Sequence, residues 1–114
     1  RMRRRRRYPP FADLFSFTVT GADESRVIRA AKALRDALGY AVERREELKP
    51  LSIEVLGPAG ASVVKVNNRY RYRVFLVGKG CPALRRLVAE YLYAFYQHKE
   101  NRGLDIFADC NAIQ

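Results

Sequence analysis

Residues 14–21 read LFSFTVTG, with Phe15, Phe17 and Val19 alternating against Ser16, Thr18 and Thr20. A period of two with one apolar set predicts a half-buried strand. Asp23 follows as a helix cap, and Val27, Ala30, Ala31, Leu34 and Leu38 then recur at helical spacing, with Arg26, Arg29, Arg35 and Asp36 largely on the outer side. The pattern predicts one amphipathic helix ending near Gly39. The charged stretch Glu43 to Lys49, closed by Pro50, reads as an exposed connection, and Leu51 to Leu56 as a second strand broken by Gly57-Pro58-Ala59-Gly60.

Residues 63–77 return as a long β-rich stretch interrupted at Asn67-Asn68, a pair that permits a tight turn or bulge. Pro82 suits the first turn of a second helix, with Leu84, Leu87, Val88, Tyr91 and Phe95 as its buried stripe. Gly103 ends that excursion and Leu104 to Ala108 forms a short last strand. The order β-α-β-β-α-β is most simply an α+β, ferredoxin-like two-layer sandwich, with four strands and both helices on one sheet face. Its expected core includes Phe15, Phe17, Val27, Leu34, Val55, Val74, Leu84 and Phe95.

The chain has 114 residues, enough for one domain with a single core and too few for two. Its formal charge is +10, and six basic residues crowd the first seven positions, so the remainder carries +4. Residues 1–7 read as a basic linker or the end of a preceding domain, and residues 8–114 as the domain itself, begun by Tyr8-Pro9-Pro10-Phe11. Such a balance favours polyanionic partners. No run approaches the roughly 18 apolar residues of a membrane span, and no signal-peptide pattern follows the arginines, so a cytoplasmic protein is expected. Cys81, Cys110 and the single His98 cannot build a paired zinc site or a disulfide framework, and the thiols read as reduced packing residues. His98 reads as a surface residue near a helix end, and Tyr93 as the most exposed aromatic of the second helix.

No phosphate loop, nucleophile elbow, metalloprotease pair or carboxylate dyad is present, so no enzymatic activity and no cofactor are expected of this chain alone. An acylphosphatase reading of the fold fails for want of a glycine-rich phosphate cradle. The informative segment is 65–86, which holds Lys65, Arg69, Arg71, Arg73, Lys79, Arg85 and Arg86 and no acid. In a strand, Arg69, Arg71 and Arg73 line one face while Tyr70, Tyr72, Val74 and Leu76 line the other, so the arginines can clamp a phosphate backbone as the tyrosines pack inward. Lys65, Asn68, Arg69, Arg71, Arg73 and Lys79 are the candidate DNA-binding residues. A solvated basic strand with core tyrosines is the alternative that the charge pattern leaves open.

Tyr8-Pro9-Pro10-Phe11, Glu54-Val55-Leu56-Gly57-Pro58-Ala59 and Lys65-Val66-Asn67-Asn68-Arg69-Tyr70-Arg71-Tyr72-Arg73, in this order and spacing, resemble the C-terminal domain of primosomal protein N′, the replication-restart DNA helicase PriA. The resemblance spans Arg7 to about Asn111. It departs where the family commonly reads GPxPAPI against Gly57-Pro58-Ala59-Gly60-Ala61-Ser62 here, and where an IDVDP-like last strand is replaced by Ile106-Phe107-Ala108-Asp109-Cys110. It implies a ribosomal S10-like fold and a parent whose 3′-to-5′ helicase core uses ATP and Mg and carries Zn, with none of that machinery in this chain. It also implies forked or single-stranded DNA, single-stranded DNA-binding protein and the remainder of the helicase as partners, a monomer, and a cytoplasmic, nucleoid-associated location. Arg85 and Arg86 at a helix start are the expected seat for that partner's acidic tail. Two readings compete: a scaffold docking on the helicase core and on single-stranded DNA-binding protein, and an RNA-recognition-motif-like binder, which lacks the glycine-aromatic strand pattern.

Overall fold

The computed structural model describes residues 12–112. Strand β1 (Ala12–Gly21) leads into helix α1 (Glu24–Arg44), and strands β2 (Glu54–Val66) and β3 (Arg69–Lys79) form a hairpin. Helix α2 (Pro82–Gln97) and strand β4 (Asp105–Ala112) complete the chain. The strands order as β2-β3-β1-β4, each pair antiparallel, which is the ferredoxin-like two-layer arrangement expected from the element order.

Register explains why one face is apolar. Val19, Phe17 and Phe15 of β1 lie opposite Tyr72, Val74 and Leu76 of β3 and opposite Ile106, Ala108 and Cys110 of β4. Side chains alternate across a strand, so this parity gives one continuous surface. Helix α1 buries Val27, Ala31, Leu34, Leu38, Ala41 and Val42 in the same core, and α2 adds Leu84, Leu87, Val88 and Phe95. Both helices therefore cover one side of the sheet. Of the expected core, Val55 alone is only partly buried, since β2 is an edge strand.

The Asp23 carboxylate caps α1, accepting from the Ser25 and Arg26 amides at 3.1 and 3.3 Å. Those bonds, with the Ser25 hydroxyl foremost, hold its carboxyl below the usual range. Helix α1 does not stop at Gly39. It runs to Arg44 because Leu38, Ala41 and Val42 continue the buried stripe, and tertiary burial outweighs the roughly 1 kcal/mol cost of a helical glycine. The stretch 43–49 is accordingly no simple exposed connection: its first two residues are helical and Leu48 is buried.

The second strand likewise differs from expectation. Gly57-Pro58-Ala59-Gly60 bends β2 without ending it, with one extra residue on β2 between Leu56 and Ala59 and three more between Gly60 and Lys65. Gly57 is needed there, since its φ is +108° and a Cβ would stand 2.8 Å from the Arg73 carbonyl oxygen. The last strand extends four residues past Ala108, because pairing with β1 continues as far as Asp13.

Candidate nucleic-acid interface

Among the described residues no helix covers the sheet's second face. Arg69, Arg71 and Arg73 of β3 project there, whereas Tyr70 and Tyr72 pack against the core on the other side. The Tyr72 hydroxyl donates to Glu24 Oε2 at 2.6 Å, and that bond, followed by burial, pushes its phenol upward. Tyr72 thereby braces β3 against the start of α1.

The three arginines are not equivalent. The Arg69 guanidinium donates to Asp105 Oδ2 at 3.0 Å and to Thr20 Oγ1 and O at 3.3 and 3.4 Å, while the Tyr96 hydroxyl donates to Asp105 Oδ1 at 3.4 Å. It joins the ends of β3, β1 and β4. Arg71 and Arg73 make no hydrogen bond or ion pair among the described residues, and Arg73 Nε is shut from solvent without a partner. Two residues apart on one strand, they are spaced about 6.6–6.8 Å along it. Two uncommitted guanidiniums on one face are suited to successive phosphates of a nucleic-acid strand.

The rest of the acid-free segment stands apart from that pair. Lys65 pairs in register with Tyr70 and places its Nζ 5.2 Å from that ring's centroid, on the opposite side from the arginines. It does not join their cluster. Asn67 and Asn68, with φ of 53° and 63°, form the two-residue turn of the β2–β3 hairpin, which asparagine tolerates better than other side chains. Asn68 thus serves the turn. Lys79 shares the strand parity of Arg73 but is exposed at the far end of β3, six residues or about 20 Å away. Arg85 and Arg86 lie exposed on the helix layer near the start of α2, whose first turn has no acidic residue. The sequence's single basic block therefore becomes an uncommitted arginine pair on the open face, with the other cations engaged or isolated from it. The Arg1–Arg7 run and Tyr8–Phe11 lie outside the described residues.

Two features went unseen in the sequence. Arg45 forms a two-pronged pair with Glu90 at 2.8 and 2.7 Å, fastening the end of α1 to α2 and holding the Glu90 carboxyl below the usual range. Phe107 projects from β4 on the open face and is 46% exposed. Chain distance hid both: the Arg45 partner is 45 residues away, and the role of Phe107 depends on β1 lying between it and β3.

A groove of about 690 Å³ separates the helices, lined by Ala30, Ala33 and Ala37 of α1 and by Tyr91, Ala94 and Phe95 of α2. Arg26 at its rim donates to the Glu100 and Arg102 carbonyls. His98 is exposed at the end of α2, and Tyr93 is the most exposed of that helix's aromatics at 70%. Tyr91 is half-buried rather than part of the full core, since Arg45 shares its surface. Among the described residues no cluster of three His, Cys, Asp or Glu side chains could hold a metal, and no helix is long and apolar enough to cross a membrane.

The geometry can be set beside known proteins. The "Probable replication restart protein PriA" of Deinococcus radiodurans is 37% identical over 71% of this chain and 8% of its own length. The "Replication restart protein PriA" of Synechocystis is 30% identical over 60% of this chain and 8% of its own length. The chain therefore spans about 8% of these relatives. Among solved structures, the de novo designed protein Foldit4 matches with a TM-score of 0.62 at 14% identity, covering 90% of this chain and 99% of its own, a likeness of fold alone. Residues 4–111 match the family described as "Primosomal protein N C-terminal domain", and the chain belongs to that family.

Proposed function

We propose that this chain is a non-catalytic DNA-contacting domain of a PriA-like replication restart protein, gripping phosphates through Arg71 and Arg73 on the open face of the sheet. The observation that carries the reading is their lack of partners among the described residues while Arg69 beside them is engaged by Asp105. A buried or half-buried guanidinium without an anion is poorly placed for stability and well placed for a phosphate. ATP turnover and strand separation belong, on this reading, to other parts of the parent, and this domain helps hold forked or single-stranded DNA in position.

The scaffold reading draws on a different observation: Arg85 and Arg86 are exposed near the acid-free start of α2, where an acidic tail such as that of single-stranded DNA-binding protein would be favoured. Salt dependence separates the two. Phosphate contacts release counterions, so removing Arg71 and Arg73 together should flatten the slope of log affinity for single-stranded DNA against log salt by about 1.4 units, at about 0.7 per phosphate. An unchanged slope in R71A/R73A, with an acidic peptide bound through Arg85 and Arg86, replaces DNA contact with docking. Deleting residues 1–7 is the control for binding through a basic tail.

A further inference from the structure

We propose that Phe107 is a base-stacking platform, making the open face a site for single-stranded DNA whose phosphates follow Arg71 and Arg73; the proposal rests on the phosphate reading above. Phe107 lies opposite Thr18, and Thr18 lies opposite Arg73 on its other side, so the three share one row across β4, β1 and β3. Neighbouring strands are about 4.7–4.9 Å apart, which sets the Phe107 and Arg73 backbones about 10 Å apart. Between them β1 presents only Ser16, Thr18 and Thr20, and Thr18 is fully buried. Across this neutral row, cations and the half-buried Phe75 stand along β3 and an exposed ring stands on β4.

One exposed phenylalanine is unremarkable on a protein surface. The distribution of charge around this one points to an occupant. Asp105 and Asp109 flank Phe107 on the same face of β4; Asp105 is neutralised by Arg69, and Asp109 has no hydrogen bond or ion pair among the described residues. The face is thus positive over β3 and negative at the Asp109 end of β4. A single strand matches that polarity, with its phosphates over the arginines and its neutral bases reaching the ring and a carboxylate that accepts from base N–H groups, the N3–H of thymine included. A duplex does not: its bases are already stacked, and its second backbone would be driven toward Asp109.

The full chain is titrated with a labelled oligothymidine and with a blunt duplex of equal length at several salt concentrations. F107A should weaken oligothymidine binding about 5- to 150-fold, the range for loss of one base–aromatic stack, and leave duplex binding unchanged. Its salt slope should equal that of the parent chain, because a ring neutralises no phosphate. The chain has no tryptophan, so F107W supplies a single indole, excited selectively over the tyrosines, that oligothymidine should quench and duplex should not. That variant decides the matter if F107A folds poorly. Unchanged oligothymidine affinity in F107A, equal losses on both substrates, or an unquenched F107W overturns the stacking proposal. A flattened slope in R71A/R73A alongside any of these leaves the phosphate reading standing, and failure of every oligonucleotide to bind removes both.

Discussion

Replacing Arg69 by alanine should weaken the fold and leave DNA binding nearly intact, although Arg69 belongs to the same sequence motif as Arg71 and Arg73. Its ion pair with Asp105 is 3.0 Å long, with side chains 39% and 64% exposed. At that exposure solvent screening keeps the pair to about 0.2–1 kcal/mol. The bonds to Thr20, at 3.3 and 3.4 Å, are long and add about 0.5 kcal/mol. The sum is about 0.7–1.5 kcal/mol; with an unfolding entropy near 2.1 cal/mol/K per residue, a chain of this size should lose about 3–6 °C in Tm. Thermal unfolding followed by circular dichroism gives the shift, and a double-mutant cycle with D105N isolates the pair. Salt-titrated binding to oligothymidine supplies the second reading. An unchanged Tm together with a slope flattened by about 0.7 would refute the reasoning, because it would make Arg69 a phosphate contact rather than a brace.

Two further outcomes follow from the packing. G21A should cost about 1–3 kcal/mol, measured by denaturant unfolding, because its Cβ would overlap Leu104 Cδ2 and stand 3.0 Å from Val27 Cγ2, both in the core; adding L104A should relieve part of that cost, and full additivity would contradict it. The Arg45 guanidinium beside Glu90 depresses that carboxyl, so the pair's stabilisation is present above the unfolded Glu value near 4.3 and is lost as pH falls through the lower folded value. The Tm difference between the parent chain and E90Q should therefore shrink with acidification below about pH 4.3, and a constant difference would disprove the coupling.

What could be read without the structure was what depends on local periodicity. The β1 alternation, the α1 and α2 stripes, the Asn67-Asn68 turn and the separation of Arg69, Arg71 and Arg73 from Tyr70 and Tyr72 are all set by neighbours in the chain. Boundaries escape local periodicity wherever a distant contact overrides a local breaker. Gly39 stays helical because Ala41 and Val42 find the core, and β2 passes Gly57-Pro58 because β3 continues to pair beside it. The candidate site was legible in residue type and illegible in commitment. Whether an arginine is free depends on where Asp105 sits, 36 residues away and two strands across the sheet, and no periodicity carries that. The same distance concealed Phe107, which the last strand's sequence presents only as one apolar residue among others.

The most direct test of the open-face assignment is the arginine Nε–H region of a proton–nitrogen correlation spectrum, recorded on the 114-residue chain as oligothymidine is added. The Arg71 and Arg73 resonances should move, Arg73 most, because its Nε has no partner among the described residues, while those of Arg69, Arg85 and Arg86 stay in place. Movement confined to Arg85 and Arg86, with Arg71 and Arg73 unaffected at saturating oligonucleotide, would place the contact on the helix layer and contradict the account.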